Sequence, residues 1–213
     1  MNQILSMKEN SFTINKTARY YTIGDLKTAK NILIVLHGYG QLAYYFSKKF
    51  EFLSRKNYFI IAPEGTHRFY LEGTSGRVGA SWMTKEARLL DINNNENYLE
   101  DLTTYFHTKN TSAQIHVLGF SQGAATATRW FEKSKLNIAS LILWASVFPD
   151  DVSIKIQQHK NTNLIFVLGS KDPYFNEEME HTCLNIYQSM NFEIIRFEGK
   201  HELIQHVLES IFT

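Results

Sequence analysis

Two kinds of segment alternate along this chain. Some are short and apolar almost throughout: "NILIVL" (31–36), "YFIIAP" (58–63), "QIHVLGF" (114–120), "IASLILWAS" (138–146), "NTNLIFVLGS" (161–170) and "FEIIRFEG" (192–199). A strand reads this way when both of its faces are buried, as in a parallel sheet. Between them lie segments with apolar residues at helical spacing: "LAYYFSKKFEFLSRKN" (42–57), "NNENYLEDLTTYFHTKN" (94–110), "QGAATATRWFEKS" (122–134), "NEEMEHTCLNIYQSM" (176–190) and "ELIQHVLESIF" (202–212). A further short helix is predicted in "DDVSIKIQQ" (150–158). The stretch "SFTINKTARYYTIGDL" (11–26) alternates loosely around a turn near Asn15, which predicts an antiparallel hairpin at a sheet edge. Strands alternating with helices predict an α/β protein with a mostly parallel twisted sheet and helices on both faces. No repeat, low-complexity segment or linker divides the chain, so residues 1–213 are expected to form a single domain.

Composition narrows the function classes. The 213 residues are 44% hydrophobic and 20% charged, with a net charge of +1. That balance leaves no electrostatic footprint for nucleic acid or an anionic membrane. The 14% aromatic content fits large core and pocket side chains. Cys183 is the one cysteine, which rules out an intramolecular disulfide and suits a reducing compartment. Its helical position marks it as a small core residue. "MNQILSMKEN" lacks the basic and apolar segments of a secretory signal. No apolar run approaches the roughly 18 residues needed to cross a bilayer. The expectation is a cytoplasmic protein without stable membrane insertion.

Parallel sheets bind ligands beyond the carboxyl ends of their strands. Chemistry is therefore sought just after each apolar run. After "QIHVLGF", Ser121 stands between Gly119 and Gly123 and is followed by Ala124, Ala125 and Ala127. A serine on a sharp strand-to-helix turn has its hydroxyl lifted into the site, and small neighbours are needed where strand and helix approach closely. The helix start also points free N–H groups at the site. Such a serine needs a base, and the base needs an orienting acid. Asp172 follows one strand and His201 the next, in the order serine, acid, histidine. Asp150 and Asp151, after the preceding strand, compete with Asp172 for the acid's role. The oxyanion would take two backbone donors. One is the N–H of Gln122, and the other is the N–H of Tyr39 in "HGYG", where Gly38 lets the chain turn.

In this order, "LHGYG", "GFSQGAA", "GSKDP" and "GKHE" resemble the alpha/beta-hydrolase superfamily. Within it they resemble the small carboxylesterase/phospholipase group, which includes acyl-protein thioesterases and bacterial predicted esterases. The resemblance covers nearly the whole chain. It implies Ser121 as nucleophile, Asp172 as acid, His201 as base, and Tyr39 with Gln122 at the oxyanion hole. Two positions depart from the group's pattern: Ala124 stands where a second glycine is frequent, and Lys200 precedes His201. Neither removes a catalytic group.

The stretch "PEGTHRFYLEGTSGRVGASWMTKEARLLDI" (63–92) reads as a long loop. Its Phe69, Tyr70 and Trp82 are expected to wall the acyl pocket. Only 16 residues separate Ser146 from Asn163, too few for a cap domain over the site. "GTSGRVG" lacks the lysine and hydroxyl residue of a phosphate loop, and no metal-ligand cluster is evident. The expected activity is a serine esterase acting on small-molecule acyl esters through an acyl-enzyme on Ser121, with no metal and no cofactor. An acyl thioesterase or a lysophospholipase would use the same groups. A catalytically silent binding module on this fold is the alternative of another class. Oligomeric state is left open.

Overall fold

The computed structural model describes residues 7–153 and 161–212. Seven strands form the main sheet: β1 (Tyr20–Ile23), β2 (Asn31–Leu36), β3 (Tyr58–Pro63), β6 (Gln114–Phe120), β7 (Ile138–Trp144), β8 (Asn163–Gly169) and β9 (Glu193–Phe197). Their spatial order is β1-β3-β2-β6-β7-β8-β9. All neighbours run parallel except β1, which pairs antiparallel with β3. This is the alpha/beta-hydrolase arrangement, and no separate cap appears among the described residues.

The continuous apolar runs have a simple cause. In β2, Ile32, Ile34 and Leu36 enter one core while Leu33 and Val35 enter the other. Successive side chains of a strand point to opposite faces, so a strand covered on both sides needs no polar residue. The first core packs under α2 (Arg88–His107), α3 (Gln122–Lys133) and α4 (Glu177–Ser189), through Leu99, Trp130 and Tyr187 among others. The second packs under α1 (Ala43–Ser47) and α5 (Gln205–Ile211), through Phe46 and Leu208. Residues 42–57, predicted as one helix, are α1 followed by 3₁₀ turns over Lys48–Lys56 that end at Asn57 with φ 63°.

Two expectations are corrected. The N-terminal hairpin does not form, since only Tyr20–Ile23 is strand. Residues 11–18 stay exposed apart from half-buried Ala18. They are tethered by Lys16 Nζ donating to the Thr66 carbonyl, and Arg19 beyond them bonds to Glu64. The stretch 63–92 is not a long loop. It contains a hairpin of β4 (His67–Glu72) and β5 (Ser75–Ser81), and α2 begins at Arg88. The helix predicted at 150–158 falls largely outside the described residues.

The strand order reverses between β2 and its neighbour β6, because β2 leads to β3 on one side while β6 leads to β7 on the other. The carboxyl ends of β2 and β6 therefore flank the crevice where such sheets bind ligands.

Candidate active site

Ser121 occupies the turn from β6 into α3 with φ 54° and ψ −119°. Such a backbone costs on the order of 1–3 kcal/mol for a residue bearing a Cβ. Surrounding structure holds it there: the Ser121 N–H donates to the Trp144 carbonyl of β7 at 2.8 Å. Both flanking glycines are required by close approach. A Cβ on Gly119 would lie 2.4 Å from Ala124 Cα, and one on Gly123 would lie 2.2 Å from the Leu36 carbonyl oxygen. The start of α3 is thus pressed against the end of β2, where the "HGYG" loop begins.

That loop presents one amide. Across Gly38–Gln41, the Gly38 N–H donates to Gln41 Oε1, the Gly40 N–H to the Ala80 carbonyl, and the Gln41 N–H to the Gly38 carbonyl. The Tyr39 N–H has no acceptor among the described residues, and neither does the Gln122 N–H at the start of α3. Aim follows from peptide geometry. The Gly38 carbonyl and Tyr39 N–H share one trans peptide plane and point opposite ways. Two donors hold that carbonyl, the Gln41 N–H at 3.2 Å and His37 Nδ1–H at 2.8 Å.

His37 is suited to this task. The Gly65 N–H donates to its Nε2 at 3.0 Å, so the proton resides on Nδ1. Burial lowers its pKa, opposed by its Gly38 hydrogen bond and the Glu64 charge, and the ring stays neutral. The sequence pattern marked the glycine turn but not this function of the histidine, which depends on a partner 28 residues away.

Asp172 and His201 meet at the neighbouring strand ends. His201 Nδ1–H donates to Asp172 Oδ2 at 2.7 Å, and the Tyr174 N–H donates to Asp172 Oδ1 at 3.0 Å. Both carboxylate oxygens are occupied and the carboxylate is buried. The loops carrying the pair are stapled together by the Lys171 N–H on the Gly199 carbonyl and the Ser170 N–H on the Phe197 carbonyl. The imidazole lies between the rings of Phe120 at 4.9 Å and Tyr174 at 4.6 Å. Phe120 immediately precedes Ser121, so the imidazole stands beside the turn. The Ser121 hydroxyl makes no hydrogen bond among the described residues, and none joins it to His201. Asp151 is engaged elsewhere, bonded to Arg129 at 2.7 and 2.9 Å and to Arg88 at 2.9 Å. Asp150 is exposed.

These groups form a partly buried hydroxyl on a strained turn, a histidine oriented by a buried carboxylate, and two unpaired amides. Among the described residues no group of three His, Cys, Asp or Glu could hold a metal ion. The sequence model of the phospholipase/carboxylesterase family matches residues 21–213. The chain belongs to this family. The phospholipase/carboxylesterase fold is shared by acyl-protein thioesterase 2 of Zea mays, with a TM-score of 0.71 at 17% identity over 92% of this chain and 96% of that one. The carboxylesterase of Mesorhizobium loti gives 0.71 at 12% identity over 91% and 93%. The Bacillus cereus carboxylesterase gives 0.66 at 13% over 93% of each chain. No curated protein matches the sequence significantly. Membership places the chain among esterase- and thioesterase-like hydrolases.

Of the three residues expected to wall the acyl pocket of this phospholipase/carboxylesterase member, Trp82 is placed in the core. It is fully buried. Its indole stacks on His37 at 5.0 Å and its Nε1–H donates to the His37 carbonyl at 2.8 Å. Trp82 is therefore not the wall expected of it, because a ring enclosed on all sides presents no surface to an acyl chain. Phe69 is half-buried, with its ring 5.1 Å from that of Tyr39, and Tyr70 is exposed. The Gln122 side chain also works in a way the motif did not disclose. Its Oε1 accepts from the Trp82 N–H and Ser81 Oγ–H, while its Nε2 donates to the Met83 carbonyl. It clamps the exit of the hairpin to the Ser121 turn. Cys183 is buried and its thiol is pushed up to about 12 by desolvation, as a core residue's would be.

Proposed function

We propose that the chain is a serine esterase that hydrolyses small-molecule acyl esters. The observation that carries this reading is Ser121 held at φ 54° on the strand-to-helix turn beside the His201–Asp172 pair. His201, with its proton on Nδ1, has Nε2 free to take the proton of Ser121 as the hydroxyl attacks the ester carbonyl. Asp172 keeps that tautomer and stabilises the imidazolium. The developing oxyanion is received by the Tyr39 and Gln122 N–H groups, each of which contributes about 2.7–4 kcal/mol to such transition states. The alcohol leaves with the proton from His201. Water then releases the acid by the same steps in reverse order. An acyl thioester would pass through the same intermediate, since the triad does not choose the leaving group.

The test is covalent labelling by a fluorophosphonate, which requires an activated serine. Wild-type protein is expected to label at Ser121, and Ser121→Ala to fold, resist the probe and lose turnover by orders of magnitude. Asp172→Asn should slow turnover steeply, whereas Asp151→Asn should not. An unlabelled wild type, or more than about a tenth of the rate in Ser121→Ala, would remove Ser121 from this role. Nitrophenyl esters and acyl thioesters of graded length then decide chain preference and leaving group.

A further inference from the structure

A concavity of about 460 Å³ lies between the "HGYG" loop, α1 with its following 3₁₀ turns, and the β4–β5 hairpin. Ser121, Asp172 and His201 do not line it. Its walls include the apolar side chains of Leu42, Phe46, Leu71 and Val78, and its charged lining residues are Lys49 and Arg77. Among the described residues, no carboxylate belongs to the lining. Lys49 has no ion pair or hydrogen bond among the described residues. Among the described residues, Arg77 meets only Glu72, at 3.5 Å with both side chains 81% exposed, a contact too open to neutralise it. Lys48 adds a third cation nearby, over the ring of Tyr44 at 4.6 Å. A pocket of this size with apolar walls takes an apolar body, and uncompensated cations beside it favour an anionic end.

We propose that this pocket binds an amphiphilic anion, an alkyl chain ending in a carboxylate or phosphate held by Lys49 and Arg77. The site stands apart from the esterase reading, because none of its groups is needed to cleave an ester. It does adjoin the loop that presents the Tyr39 amide. Gly40 and Gln41 line the pocket, and the same two residues exchange backbone hydrogen bonds with Ala80 of β5.

Calorimetric titration of the full chain with decanoate, decyl phosphate and decanol tests the proposal. Decanoate or decyl phosphate is expected to bind one per chain, and whichever binds more tightly identifies the head group. Decanol should bind about tenfold more weakly or worse, and Lys49→Glu/Arg77→Glu should weaken the anion by a similar factor. Val78→Trp, which fills the pocket without touching a charge, should abolish binding. Protein first treated with the fluorophosphonate should bind the anion as before. The proposal is overturned if neither anion binds, if decanol binds as well, if the charge-reversed protein binds unchanged, or if treatment with the probe displaces the anion. Should Ser121 fail to label, the titration still reads this pocket, so the two readings fail separately.

Discussion

Trp82 shows how little a residue's type says about its task. In sequence it is a large aromatic in a stretch close to the site, which predicts a pocket wall. In the fold its ring is enclosed and its polar atoms are all used: Nε1–H on the His37 carbonyl, N–H on Gln122 Oε1, and carbonyl accepting from Asn95 Nδ2. It therefore supports the histidine that aims the Tyr39 amide. Trp82→Ala is expected to cost about 3–5 kcal/mol of stability, read from denaturant unfolding. Turnover of acetyl and octanoyl nitrophenyl esters should fall by the same factor, because no acyl chain touches the indole. A change in the octanoyl-to-acetyl ratio of kcat/KM at matched stability would return Trp82 to the pocket wall. Ser121 is the opposite case. Its neighbours Gly119 and Gly123 announce a close approach of strand and helix, and the structure supplies the two contacts that require them.

The β4–β5 hairpin is an element the sequence barely shows. β4 keeps no fully buried side chain, and β5 buries only its last three residues. A lone two-stranded hairpin is marginal in water, so it depends on what it is fastened to. Here the Gly40 N–H donates to the Ala80 carbonyl and the Ala80 N–H to the Gln41 carbonyl. Gly79 permits this approach, since a Cβ there would lie 2.4 Å from the Gly40 carbonyl oxygen. Gly79→Ala should thus push the loop bearing the Tyr39 amide away from Ser121. Turnover is expected to fall about tenfold or more through kcat, part of the loss seen when one oxyanion donor is removed outright. Gly73→Asn, at the open tip with φ 63°, should leave the rate unchanged because Asn tolerates that backbone and nothing lies within 4 Å. Equal kinetics for Gly79→Ala and wild type would separate the hairpin from the chemistry.

For the whole molecule, buried histidines couple folding to pH. Burial pushes His116 down to about 4 from 6.5 and also lowers His37. The unfolded chain then binds more protons than the folded one between these values, so stability is complete above about pH 6.5 and declines as pH falls toward 4. Asp151 acts in a lower window. The hydrogen bond from Arg129 holds it at about 2, against 3.8 unperturbed, so its contribution fades only below about pH 3.8. Denaturant midpoints should drop between pH 6.5 and 4, and His116→Gln should flatten part of that slope. A slope unchanged in the variant would assign the effect to other groups. The sequence by itself determined the alternation of doubly buried strands and helices, the glycine-flanked turn at Ser121, and the chain order of serine, acid and histidine. Those features are local: side-chain period, backbone sterics and the residue just after each strand are written within a few neighbouring positions. Only the tertiary structure decided that Asp172 lies against His201 while Asp151 is taken by Arg129 and Arg88, that Trp82 is core, and that a hairpin is tied to the "HGYG" loop. Each depends on partners tens of residues away, and which of several chemically equal candidates meets a given partner is settled when strands from distant parts of the chain align in one sheet.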